Sequence, residues 1–137
     1  TRFSDLDIDM SGSSQAAGVG VYLEHYTRNS VFENFAIRGA RTGFNGEWAD
    51  PATGGLPGAY GVTIRNGEID SSGSALGGRQ AGVYLDEGTF QTTVTGVTFV
   101  NQNWAAIAAY KTTGTNAFTA NTFRLGAAAV PLSTDHI

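Results

Sequence analysis

A six-residue pattern of apolar and polar positions recurs five times along the chain: Phe3–Ile8, Phe32–Ile37, Ile64–Ile69, Val94–Phe99 and Phe118–Phe123. The template is apolar, polar, Asp/Asn/Gly/Ala, mostly apolar, polar (Ala36 in the second copy), apolar, and the copies start 29, 32, 30 and 24 residues apart. A second pattern, Gly20-Val-Tyr-Leu-Glu24, returns as Gly82-Val-Tyr-Leu-Asp86 and more weakly as Ala106-Ile-Ala-Ala-Tyr110. Its second residue always lies 11 positions ahead of the next six-residue copy (21→32, 83→94, 107→118). Two patterns held in one phase are a single structural unit copied along the chain, and repeats of this period are the mark of a solenoid.

The units are strands. Val21, Leu23, Val83, Leu85 and Ile107 alternate with Tyr22, Glu24, Tyr84, Asp86 and Ala108, the period of two of a half-buried strand. Apolar residues at helical spacing do not persist, and Gly, Ser, Asn and Thr fill the gaps. Stacking each unit in parallel on the last satisfies the strand hydrogen bonds and buries the inward residues. This predicts an all-β fold, a right-handed parallel β-helix of about five coils, the hand following the general rule for parallel connections. With rungs about 4.8 Å apart the column is roughly 20 to 25 Å long. Residues 1–137 read as one domain, with residues 45–61 a Gly- and Pro-rich inserted loop. Asp5, Asn34 and Asn66 share the third position of the six-residue pattern, where a short polar side chain is expected to bond nearby backbone at a stacked turn.

Composition narrows the partners. Charged residues are 15% of the chain, the net charge is −4, and the eight basic residues are dispersed, so a nucleic-acid partner is not expected. There is no cysteine for a disulfide or thiol–metal site, and no apolar run of membrane-spanning length. The chain starts at Thr1, almost inside a repeat. With no capping helix legible at either end, it reads as a piece of a longer β-helix or as a chain capped by oligomerisation.

Gly20-Val-Tyr-Leu-Glu24 followed by Phe32-Glu-Asn-Phe-Ala-Ile37, and the stretch Val62-Thr-Ile-Arg-Asn-Gly-Glu-Ile-Asp70, resemble the pectate-lyase-like superfamily of parallel β-helices. That superfamily includes polysaccharide lyases, polygalacturonase-type hydrolases and phage tailspikes. The resemblance spans about residues 1–126 and implies a carbohydrate partner, commonly an acidic or bacterial surface polysaccharide, and an extracellular or virion-associated setting. Neither the Asp-pair and Gly-His blocks of polygalacturonases nor the Arg-x-Pro-x-x-Arg block of pectate lyases is present, so no catalytic residue transfers directly.

The repeats nevertheless say which side chains are neighbours. Sliding Ala40–Trp48 onto Asn103–Lys111 sets Phe44 with Ile107, and an outward column then reads Glu24, Glu47, Asp86, Tyr110. Beside it run His25, Trp48, Glu87 and Lys111, and two residues earlier Tyr22, Asn45, Tyr84 and Ala108. Glu24, Glu47 and Asp86 are the candidate catalytic carboxylates, because close carboxylates raise one another's pKa toward that of a general acid. Tyr22, Trp48, Tyr84 and Tyr110 offer flat faces for sugar rings, with His25 and Lys111 as polar partners. Hydrolysis is the first mechanism expected; β-elimination with Arg79 or Lys111 as base is second. No cofactor is expected beyond Ca²⁺, which Asp5, Asp7 and Asp9 can hold as hard oxygen ligands if strand alternation sends all three outward. The competing reading is a charge ladder of Asp9, Arg38 and Asp70 on successive rungs. The alternative to a glycan-cleaving domain is a structural or adhesive fibre segment, a homotrimer with no chemistry.

Overall fold

The computed structural model of the chain describes residues 1–12, 18–46, 58–72, 79–86, 88–112 and 115–125. Among these residues there are strands and no helix. In chain order they are β1 (Arg2–Ser4), β2 (Asp7–Asp9) and β3 (Val19–Leu23); β4 (Val31–Glu33), β5 (Ala36–Arg38) and β6 (Thr42–Gly46); β7 (Thr63–Arg65), β8 (Glu68–Asp70) and β9 (Ala81–Leu85); β10 (Thr93–Thr95), β11 (Thr98–Val100) and β12 (Ala105–Ala109); and β13 (Ala117–Thr119) and β14 (Thr122–Arg124). The chain visits three sheets in fixed rotation. The first sheet is β1-β4-β7-β10-β13, the second β2-β5-β8-β11-β14 and the third β3-β6-β9-β12, and every pairing is parallel. This all-β arrangement is compatible with the expected parallel β-helix.

The register follows the sequence repeats residue for residue. Phe3, Phe32, Ile64, Val94 and Phe118 form one column across the first sheet. Ile8, Ile37, Ile69, Phe99 and Phe123 form another across the second. In the third, Phe44 meets Ile107 through Val83, and Tyr22, Asn45, Tyr84 and Ala108 align as the repeats require. Phe32, Ile37, Phe44, Ile64, Ile69, Val83, Val94 and Phe99 are the buried centre of the resulting core. A slip of one residue would turn each such column outward, so burial of these residues holds the register.

The corner between first and second sheets is always two residues long, and its first residue is left-handed: Asp5, Asn34, Asn66, Gly96 and Ala120 have φ between 53° and 63°. Asn, Asp and Gly tolerate this region, which explains the third position of the pattern. The hydrogen bond at the corner is made by the main chain rather than, as the sequence suggested, by the side chain: Asp5 N donates to Glu33 O (3.2 Å) and Asn66 N to Thr95 O (3.2 Å). The Asn66 amide lies over the next corner instead, where a β-carbon on Gly96 would come within 2.8 Å of its Oδ1.

Asp5 therefore lies at a corner, off the strand that carries Asp7 and Asp9, and the three carboxylates do not share one alternation. Asp9, Arg38 and Asp70 do occupy one column. Arg38, however, bonds the carboxylate of Asp7. Asp9 and Asp70 each accept a hydrogen bond from the backbone of the serine two residues on (Ser11 N, 2.9 Å; Ser72 N, 2.7 Å). The hydroxyl and N–H of Ser11, and then the charge of Arg38, hold the Asp9 carboxyl below its ordinary pKa. No group of three or more acidic, histidine or cysteine side chains among the described residues could hold a metal ion.

The third sheet breaks simple alternation. Gly20, Gly43 and Gly82 precede inward Val21, Phe44 and Val83, yet they face inward as well, because β-carbons there would strike Ile37, Ile69 and Phe99. Two successive inward positions bend the strand.

Candidate functional site

The outward side of the third sheet carries a groove. One part, about 290 Å³, is lined by Arg41, Thr42, Asn45, Arg79, Tyr84 and Trp104 among others. It runs into a second part of about 460 Å³ that shares Arg79, Tyr84 and Trp104 and reaches Ala108 and Tyr110. Strand geometry explains the lining. Asn45, Tyr84 and Ala108 are one outward column. Arg41 and Trp104 sit just ahead of β6 and β12, at the same step of the rotation as Gln80 ahead of β9.

Trp104 organises the groove. Its ring lies 5.9 Å from the Tyr84 ring at a tilt of 42°, and the Arg79 guanidinium lies over it at 5.4 Å. Such a cation over an indole face contributes about 0.5–1 kcal/mol where exposed. The Trp104 backbone N–H donates to Gln80 O (3.2 Å), and Asn103 Oδ1 accepts from Gln80 N (2.7 Å), fixing the turn that presents the indole. Arg41 Nε donates to Arg79 O (3.3 Å), which ties the two guanidinium-bearing turns together.

Of the residues named from the sequence, Tyr84 and Tyr110 line this groove. Lys111 lies at its margin with Nζ 5.2 Å from the Tyr110 ring centroid. Tyr22 is in the Tyr84 column but two rungs away, 47% exposed, and faces a separate hollow at the β1 end that Phe3, Tyr26 and Arg28 also line. Glu24 and Asp86 directly follow β3 and β9, two rungs apart, and His25 is half-buried at the following corner. Glu47, Trp48 and Glu87, and most of the 45–61 loop, lie outside the described residues. Trp104 and Arg41 were missed as candidates. The signal existed, since the shift that sets Phe44 on Ile107 also sets Arg41 on Trp104, but these positions precede the strand and fall outside its alternation.

Burial raises the Tyr84 phenol above its ordinary pKa, with the charge of Asp86, a hydrogen bond to it and the neighbouring Tyr110 adding to the effect. Tyr84 is consequently a neutral donor to Asp86 rather than a base. The folded state holds this proton more tightly than the unfolded chain does, so stability falls as pH rises above about 10 and is unaffected at neutral pH. Tyr84→Phe is expected to make that alkaline decline shallower, read as urea midpoints at neutral and alkaline pH. An unchanged slope would contradict the burial of this phenol.

Comparison of the chain with protein-family models, with curated proteins and with solved structures finds no match.

Proposed function

We propose that the chain is a right-handed parallel β-helix related to the pectate-lyase-like superfamily, and that the groove on its third sheet holds a polysaccharide. The rotation of the chain through three parallel sheets supports the architecture, and each passage through the three is then one coil. The observation that carries the function is the Arg79–Trp104–Tyr84 cluster in an open groove. An indole and a phenol offer apolar faces to the C–H side of a pyranose, while fixed guanidinium donors suit its hydroxyls and carboxylates. Arg41 and Arg79 on neighbouring rungs favour an acidic glycan over a neutral one.

The hydrolytic version of this function would draw on Glu24 and Asp86, which directly follow β3 and β9 and are not among the residues that line the groove. Glu24 and Asp86 are two rungs apart, about 9 to 10 Å, which lies at the upper limit for inverting hydrolysis and well beyond the roughly 5 Å of a retaining pair. The position of Arg79 in the groove favours a second version, β-elimination from a uronate. There Arg79, in its neutral form, would take the C5 proton; a C4–C5 double bond forms as the glycosidic C4–O bond breaks, the departing oxygen takes a proton from water, and the product absorbs in the ultraviolet whereas a hydrolysis product does not.

Titration of the protein against a panel of acidic and neutral polysaccharides tests the reading. Trp104→Ala is expected to weaken binding at least tenfold, as truncation of an aromatic anchor that the ligand covers does. Arg79→Ala is expected to weaken acidic glycans selectively. Wild-type binding to no glycan, or binding indifferent to Trp104→Ala, overturns the groove and leaves the structural or adhesive segment. Reducing-end release without ultraviolet absorbance assigns hydrolysis, and its loss in Asp86→Asn places that carboxylate in the reaction.

A further inference from the structure

The groove on the third sheet changes character from one rung to the next. Two columns cross the sheet beneath it, Val19–Thr42–Ala81–Ala105 and Tyr22–Asn45–Tyr84–Ala108. In both, β6 carries a short hydrogen-bonding side chain, while its neighbours on either side carry methyl groups or rings. Arg41, which directly precedes β6, adds a guanidinium to the same rung. The two rungs beyond supply Tyr84 and Trp104, with the Arg79 guanidinium over the indole. The groove therefore has a polar half on β6 and an aromatic half on β9 and β12, with about 4.8 Å from rung to rung.

Packing does not account for the polar half. Gly43 and Phe44 are the residues of β6 that face the core. Thr42 and Asn45 are half-buried and line the groove. Asparagine is a poor strand former, and a tyrosine at position 45 would continue its column and gain cross-strand contacts with Tyr22 and Tyr84. Asn45 forgoes those contacts and leaves a gap in the ring column, floored by an amide that can both donate and accept.

The side chains around that gap define what fits it. Arg41 brings one positive charge on a planar fork, and Thr42 and Asn45 bring neutral hydrogen-bonding groups. A planar monoanion, a carboxylate, matches this set. Arg41 Nε donates to Arg79 O (3.3 Å), which holds Arg41 beside the boundary between the two halves.

We infer that β6 reads the acid group of the glycan. Arg41, Thr42 and Asn45 bind the carboxylate of one uronate unit, while the adjoining unit stacks on Tyr84 and Trp104. Asn45 determines specificity, because a ring there would close the space that the carboxylate enters. The glycan consequently runs across the strands rather than along them. This inference rests on the reading of the groove as a polysaccharide site.

Isothermal titration of the full chain with trisaccharides of galacturonate, glucuronate and mannuronate, and with the same trisaccharides after reduction of their carboxyls to alcohols, tests it. The quantity read is the ratio of the affinities for the acidic and the reduced form. Asn45→Asp sets a like charge against the carboxylate and is expected to lower that ratio about tenfold or more. Thr42→Val, which keeps the shape and removes one hydrogen bond, is expected to lower it about threefold to tenfold. Trp104→Ala is expected to weaken both forms and to leave their ratio within about twofold, because the stacked face carries no acid group. A circular dichroism spectrum matching wild type in each variant separates lost recognition from lost folding. Binding that depends on Trp104 while the ratio is indifferent to Asn45→Asp and Thr42→Val, or that prefers the reduced form, overturns the inference and spares the groove. Binding to no trisaccharide, or binding indifferent to Trp104→Ala, overturns the groove itself and the inference with it.

Discussion

Gly43→Val is expected to remove most or all of the protein's stability. Position 43 lies in the middle of the third sheet, between Gly20 and Gly82, where the strand turns two successive residues inward. A β-carbon there would sit 2.6 Å from Gly82 O and 2.7 and 2.9 Å from Cγ2 and Cδ1 of Ile69. Ile69 is fully buried and cannot swing aside, and the carbonyl belongs to the neighbouring strand's backbone. Overpacking a core commonly costs about 1–3 kcal/mol, more where backbone must move, and a domain of this size has only about 5–15 kcal/mol in total. Gly43→Ala is expected to cost about 2 kcal/mol, and valine, with two more methyls in the same space, to exceed that. Urea unfolding reads both. Gly12→Ala is the control, since nothing lies within 4 Å of its added carbon. Equal midpoints for Gly12→Ala and Gly43→Ala would mean that the third sheet does not bend as described.

The second large effect is expected at Phe44. Its side chain is fully buried and meets the rings of Phe32 and Phe35 edge-on, at 5.3 and 5.1 Å. It thereby joins the third sheet to the first and to the corner that leads into the second. Phe44→Ala is expected to lose about 3–5 kcal/mol, the range for phenylalanine truncation in a core, with the lost aromatic contacts moving it toward the upper end. Phe123→Ala removes the same atoms from a site that is 64% exposed and is expected to cost less than about 1 kcal/mol. Urea midpoints with unchanged slopes give both values. A small loss at Phe44 would dissolve the distinction between the centre of the core and its ends.

The first two sheets were legible from the sequence because one inward residue per strand, flanked by outward polar residues, repeats at a constant corner. Phe3, Phe32, Ile64, Val94 and Phe118 could be aligned by eye, and they are aligned in space. The third sheet was legible in its outward column but not in its bend, because a glycine that must be absent of side chain looks like a glycine that merely tolerates one. The groove was half legible. Tyr84 and Tyr110 could be named from alternation, whereas Trp104 and Arg41, although one shift aligns them, precede their strands and fall outside the alternation, and Arg79 could be named only as a base and not as a neighbour of Trp104. Asp5 misled for a related reason: its spacing from Asp7 and Asp9 is that of a strand, but the chain turns between them.

The three corners of each round are not equally free to change. The corner between first and second sheets has two residues every time, whereas residues 10–18, 39–41, 71–80 and 101–104 join the second sheet to the third, and residues 24–30, 47–62, 86–92 and 110–116 return from the third to the first. All the variation in length thus borders the third sheet, on whose outer side the groove lies. A descendant of this chain could lengthen, shorten or exchange these segments, and with them its choice of ligand, while the buried columns and the invariant corner went on specifying the same scaffold. In such a protein the evolution of specificity is mechanically uncoupled from the evolution of stability.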